Sequence, residues 1–143
     1  MIESKRGKYR GEKVRVYDQN GLVYLAVEPE YVEKRMKEYF KGIEILFGQS
    51  LTNEVTFYHA SLVHLIFAHI HPFLDGNGRG ARLIEKWFIS QVLGKHFWKI
   101  SSEKYYRDHR DDYYENINLG VNYYELDYDR CLPFLEMLPK CLE

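Results

Sequence analysis

Residues 71–82 read His-Pro-Phe-Leu-Asp-Gly-Asn-Gly-Arg-Gly-Ala-Arg, placing a proton acceptor, a hard carboxylate, a glycine-rich turn and two arginines in one short stretch. Each suits work on phosphate esters. His71, with an ordinary pKa of about 6.5, is neutral near physiological pH and accepts a proton from an attacking hydroxyl. Asp75 is the type of oxygen ligand that holds Mg²⁺ beside phosphates, with water and the phosphates completing the shell. Gly76 and Gly78 tolerate positive φ, so the Gly76-Asn77-Gly78 backbone N–H groups can turn inward on an anion. A helix beginning at about Arg79 adds its free N–H groups and dipole. Arg79 and Arg82, three residues apart, project from one face of that first turn. Cations are disfavoured at a helix N-terminus, so two of them there point to an anionic ligand, and arginine's planar fork grips phosphate. Taken singly, these residues read as a helix cap, a turn and a solvated face. In this order they read as a phosphate site.

The elements around the stretch follow from periodicity. Val14 to Tyr17 alternates, Leu22 to Val27 is apolar, and Asn20-Gly21 between them signals a hairpin turn. Glu28-Pro29-Glu30 opens a helix that runs to about Phe47 and stops at Gly48. Thr52 caps the next helix, about 53–70, whose second half is apolar nearly all round and belongs at the centre of a bundle. Pro72 ends it. A helix over about 79–93 closes on Gly94, and two more are predicted over about 102–119 and 129–140, the last interrupted by Pro133 and closed by Pro139. The fold class is all-α with one small β-hairpin.

The 143 residues make one domain, large enough for its own core. Residues 1–12 or so are polar and basic and are predicted to be mobile before the chain becomes extended. A net charge of −1 gives no global basic field, so nucleic acid is not an expected partner. Two cysteines, Cys131 and Cys141, suggest neither a disulfide framework nor a zinc site, and a reducing cytoplasm is the default. No apolar run is long enough for a membrane span. Tyrosine contributes 13 residues, most of them assigned to surface and core boundary, with some free for a nucleotide pocket or an interface. The sequence sets no oligomeric state. His64, His69 and His71 are the types of residue that bind zinc, but His69 lies about 140° around the helix from His64. Arg107, Asp108, Arg110, Asp111 and Asp112 read as a salt-bridged surface turn.

The stretch resembles the Fic-domain signature His-x-Phe-x-(Asp/Glu)-Gly-Asn-Gly-Arg-x-x-Arg, with every fixed position filled. The likeness extends to Ala60, His64 and Ile70-His71-Pro72-Phe73, to Tyr113-Tyr114, and to the hairpin at about 14–27, which occupies the place of the family's flap. The resemblance implies a Fic-type helical domain and a protein adenylyltransferase, moving AMP from Mg²⁺-ATP to a Tyr, Ser or Thr hydroxyl. In that reading His71 is the base and Asp75 the Mg²⁺ ligand. Gly76, Asn77 and Gly78 form the anion hole, with the Asn77 side chain positioning the α-phosphate. Arg79 and Arg82 hold the β- and γ-phosphates, Phe73 anchors the loop in the core, and Tyr113 and Tyr114 line the adenine pocket. The flap pairs with an extended segment of a target protein. Related kinases have His-x-Phe-x-x-Ala-Asn-Lys-Arg, from which Gly76 and Gly78 depart. Transfer of another phosphate-containing group, or a silent nucleotide- or partner-binding domain, are the rival readings. The family's inhibitory motif, Ser/Thr-x-x-x-Glu-Gly/Asn, has no clean match. Glu115-Asn116 is the nearest, with Asp111 where Ser or Thr would stand. Four readings of the restraint follow: a separate inhibitory protein presenting a glutamate to Arg82, a segment outside this sequence, Glu115 acting from within, or no restraint at all.

Overall fold

The computed structural model describes residues 5–143. Its hairpin, β1 (Arg15–Asp18) and β2 (Gly21–Leu25), is antiparallel, pairing Arg15 with Leu25 and Val16 with Tyr24 before the register shifts by one between Val16 and Tyr17. The turn falls one residue earlier than predicted, on Gln19-Asn20, with Asp18 paired to Gly21. The Asp18 carboxylate accepts the Asn20 N–H at 2.7 Å, and Gly21 takes the positive φ of 123°. The hairpin is tied to the body through its second strand. The Leu25 N–H donates to the Val121 carbonyl at 2.6 Å, and the Tyr24 hydroxyl donates to the His69 carbonyl.

Two long helices match their predicted bounds. Helix α1 (Pro29–Phe47) has Pro in its first turn, and α2 (Asn53–Ile70) is capped by Thr52, whose side chain accepts the Val55 N–H at 3.3 Å. Helix α3 (Asn77–Leu93) starts two residues before the predicted Arg79, because Gly76, at φ 85°, makes the N-terminal turn by itself. The single helix predicted over about 102–119 is two, α4 (Ser102–Asp108) and α5 (Arg110–Ile117). His109 breaks it. Its Nδ1 bonds the Tyr105 carbonyl at 2.9 Å and its ring stacks on Tyr105, which satisfies the end of α4 and turns the chain. The C-terminal helix is likewise divided, into α6 (Leu132–Leu135) and α7 (Met137–Lys140), where Pro139 offers no N–H to the turn before it.

Helix α2 is the axis. Val63, Phe67 and Ile70 pack with Val32, Met36 and Ile43 of α1 and with Ala81, Phe88 and Ile89 of α3. On another side, Leu65 joins Tyr106, Tyr113, Phe134 and Met137 from the later helices. Burying each large apolar side chain contributes roughly 1.5–3 kcal/mol, so α2 and α3 form a rigid pair, and the 71–76 loop between them is held at both ends.

The predicted mobile N-terminal segment needs correction over its second half. Arg10 is only 3% exposed, and its backbone N–H donates to the Pro72 carbonyl at 2.9 Å. The chain from about residue 9 is therefore part of the body. Residues 1–4 lie outside the described range.

Candidate active site

The loop is shaped by residues that stop helices. His71 ends α2 in the left-handed conformation, φ 53° and ψ 60°, and among the described residues no other non-glycine has positive φ. An L-residue held there costs roughly 1–2 kcal/mol, so neighbouring contacts must hold it. Pro72 is buried behind it. Phe73 packs against the core near Phe67 and Tyr9, as expected of a loop anchor. The Asn77 side chain, which the family resemblance assigned to the α-phosphate, is occupied inside the loop. Its Oδ1 accepts the Phe73 N–H at 2.9 Å and its Nδ2 donates to the Phe73 carbonyl at 2.7 Å. That pairing mimics a short strand ladder and leaves the first-turn N–H groups of α3, which have no side-chain cap, facing outward.

His71 lines a cavity of about 290 Å³ between the hairpin, α2, α3 and α5. With it stand Val16 and Tyr24 from the hairpin, Gly78 and Arg82 from α3, and Tyr113 and Tyr114 from α5. Burial lowers the His71 pKa, with the nearby Arg10 charge a smaller cause in the same direction and a hydrogen bond to Ala68 opposing it. A histidine so placed is neutral at physiological pH and available as a base.

The two signature arginines do not lie side by side as predicted. Arg79 curls back over Gly76, where an added Cβ would stand 3.2 Å from its Nη2, and pairs with the Asp75 carboxylate at 3.3 Å in the open. It faces a cleft of about 610 Å³ shared with Tyr9, Phe73 and Asp75. Arg82 curls over Gly78 and lines, with Tyr113, both the His71 cavity and a cleft of about 630 Å³ beside α4. No ion pair joins Glu115 to Arg82 among the described residues.

Asp75 fits a Mg²⁺ ligand by the chemistry of its donor set. It is an exposed hard carboxylate one residue ahead of the α3 turn, with no cage around it: no cluster of three or more His, Cys, Asp or Glu able to hold a metal occurs among the described residues. Mg²⁺ bound through one carboxylate, phosphate oxygens and water needs no more.

Beneath Arg82 is a buried series that the sequence reading did not assemble. The Tyr113 hydroxyl lies 2.8 Å from His64 Nε2, His64 Nδ1 lies 2.7 Å from Glu85 Oε2, and the Tyr106 hydroxyl donates to the same oxygen at 2.8 Å. His64 and Glu85 are fully buried. One proton arrangement satisfies every link: the Tyr113 hydroxyl donates to His64 Nε2, and His64 Nδ1–H and the Tyr106 hydroxyl both donate to Glu85. Glu85 Oε1 has no partner among the described residues. The available signal was Glu85 itself, a charged residue on the helix face that carries Ala81, Phe88 and Ile89. Arg10 had no such signal, since it sits among Lys5, Arg6, Lys8 and Lys13. His69, the third histidine of α2, is used by neither network: its Nε2–H donates to the Ile117 carbonyl at 2.7 Å and its Nδ1 accepts from the Tyr128 hydroxyl at 2.8 Å.

Comparison with known proteins adds three findings. The model of the Fic/DOC family matches residues 1–89. The protein adenylyltransferase Fic of Nematostella vectensis is 28% identical over 137 residues, which cover 96% of this chain and 27% of that protein. The chain thus spans well under half the length of that curated relative. Among solved structures, a Fic domain containing signaling protein from Bacteroides thetaiotaomicron VPI-5482 matches with TM-score 0.72 at 22% identity, over 95% of this chain and 51% of that one, a likeness of fold. A Fic family protein from Desulfovibrio desulfuricans G20 matches with TM-score 0.69 at 28% identity, over 95% and 38%. No helix among the described residues is long and apolar enough to cross a membrane.

Proposed function

The chain belongs to the Fic/DOC family, and on that premise we propose that it transfers AMP from ATP to a hydroxyl of a target protein. The observation that carries this reading is His71: a half-buried imidazole, its pKa lowered by burial, in a left-handed turn and sharing one cavity with Gly78 and Arg82.

His71 takes the proton of a Tyr, Ser or Thr hydroxyl as its oxygen attacks the α-phosphorus. The new P–O bond forms as the bond to the β-phosphate bridge breaks, and diphosphate leaves. Gly76, Asn77 and Gly78 offer backbone N–H groups, reinforced by the α3 dipole, to the charge that grows on the α-phosphate. Arg79 turns from Asp75, and with Arg82 it takes the β- and γ-phosphates. Asp75 holds Mg²⁺, which when bound neutralises phosphate charge. Tyr113 and Tyr114 flank the nucleoside, and the exposed first strand of the hairpin offers an edge to an extended target segment. The relative's adenylyltransferase name supports this choice over a kinase.

The test is incubation with Mg²⁺ and α-labelled ATP, read by labelling and by intact-mass analysis. Wild-type chain should attach AMP to its own tyrosines or to a target. His71→Ala should lose roughly 10²–10⁴ in rate while binding ATP about as well. Undiminished transfer by that variant would remove His71 from the mechanism.

A further inference from the structure

Arg10 is the most fully engaged buried cation in the described chain. Its Nε donates to the His71 carbonyl at 2.6 Å, Nη1 to Glu12 at 3.0 Å, and Nη2 to Val27 at 2.6 Å and Ile70 at 3.2 Å. Its own N–H takes the Pro72 carbonyl at 2.9 Å. Three consecutive carbonyls, 70 to 72, thus end on one residue at least 60 positions earlier in the chain. They are the carbonyls at the end of α2, where helix geometry leaves acceptors unfilled and favours a cation. Val27 lies at the foot of the hairpin, so the same guanidinium joins the hairpin to the turn.

The turn needs such a holder. His71 stands at positive φ with a β-carbon, and its N–H bond to the Phe67 carbonyl at 3.0 Å secures only one side of it. Were the residue to relax to negative φ, the imidazole would leave the cavity it shares with Gly78 and Arg82.

We propose that Arg10 is a positioning residue for His71: through the Ile70, His71, Pro72 and Val27 carbonyls it fixes the left-handed turn that aims the imidazole into the catalytic cavity. It touches no substrate and acts only through the backbone. Lysine cannot replace it fully, because one ammonium lacks the fork that reaches carbonyls from separate elements at once. The consequence for catalysis rests on the proposed transfer reaction, whereas the conformational claim does not.

The test therefore has two arms. In the first, histidine-labelled protein is followed by NMR, with the His71 ring signal assigned by its loss in His71→Ala. Arg10→Met and Arg10→Lys should shift or broaden the His71 signal, more in Met than in Lys, while His64 stays in place. The His71 pKa should rise as the neighbouring positive charge is lost. The other titratable groups lining its cavity are Tyr24 of the hairpin, His69 of α2, Arg82 of α3, and Tyr113 and Tyr114 of α5, none a carboxylate. In the second arm, kcat for AMP transfer should fall roughly tenfold to a hundredfold in Arg10→Met, as expected for a misplaced catalytic group, with KM for ATP nearly unchanged and Arg10→Lys between the two. If Arg10→Met does not fold, Arg10→Lys decides both arms. A His71 signal and kcat unmoved by either variant overturn the proposal. A moved signal in a chain whose wild type transfers nothing upholds the positioning and overturns the reaction.

Discussion

At the His71 end of the site the fixing contacts run to backbone: Asn77 closes on both polar groups of Phe73, and Arg10 reaches the carbonyls of Ile70, His71 and Val27. At the Arg82 end they run from side chain to side chain, through Tyr113 and His64 to Glu85 and Tyr106. The two arrangements fail differently. A carbonyl survives any substitution of its residue, so a backbone-held turn can loosen one contact at a time. A buried side-chain series ending in a carboxylate fails as a unit, because removing one member strands its neighbour's polar atom away from water.

Glu85 offers the largest test of that contrast. Glu85→Ala leaves His64 Nδ1–H and the Tyr106 hydroxyl without a partner, and breaking a buried pair of this kind costs about 3–5 kcal/mol. Urea unfolding should show the loss. A change within about 0.5 kcal/mol, typical of a neutral surface site, would mean that the series carries no structural weight.

pH should unsettle the helix end next. Burial lowers the His69 pKa to about 4, while the unfolded chain titrates near the ordinary value of 6.5. Below 6.5 the unfolded chain binds the proton that the folded one refuses, so stability is full above 6.5 and falls as pH drops towards 4. Over that window the loss is about 3 kcal/mol, and the lowered His71 adds to it in the same direction. The urea midpoint followed from pH 7 to 4.5 checks this, and His69→Gln should flatten the curve.

Between the two ends, Gly80 of α3 faces Phe67 of α2. A Cβ there would meet Phe67 Cε1 and Cζ at 3.0 Å, and Phe67 supports Phe73. Gly80→Ala should cost roughly 1–3 kcal/mol as overpacking, visible as a lowered Tm. The smallest effect falls on the turn. Gly76→Ala puts a side chain at φ 85°, costing about 1 kcal/mol, yet it should weaken ATP affinity more than Gly80→Ala because it crowds Arg79 and the anion turn. Calorimetric titration with ATP ranks the two, and the reverse order would detach Gly76 from phosphate binding.

The local half of this site was legible because its causes are local. Glycine at 76, proline at 72 and a cap at Thr52 act within a few residues of themselves, so the ends of α2 and the loop follow from them. The hairpin was legible for the same reason, apart from a one-residue slip caused by the Asp18 side chain. The break at His109 was not, since it depends on a ring finding Tyr105 once the helix has formed.

By itself, then, the sequence determined the helix pair, the loop between them, and the kinds of group presented there: imidazole, carboxylate, glycine-rich turn and two guanidinium forks. Which groups meet was decided by tertiary structure. Arg10 crosses to residue 71, and His64 meets Glu85 and Tyr113, because packing of α2 against α3, α4 and α5 excludes water from one volume. Inside it an unpaired polar group is costly. That penalty is set by which residues end up buried together, and spacing along the chain carries no record of it.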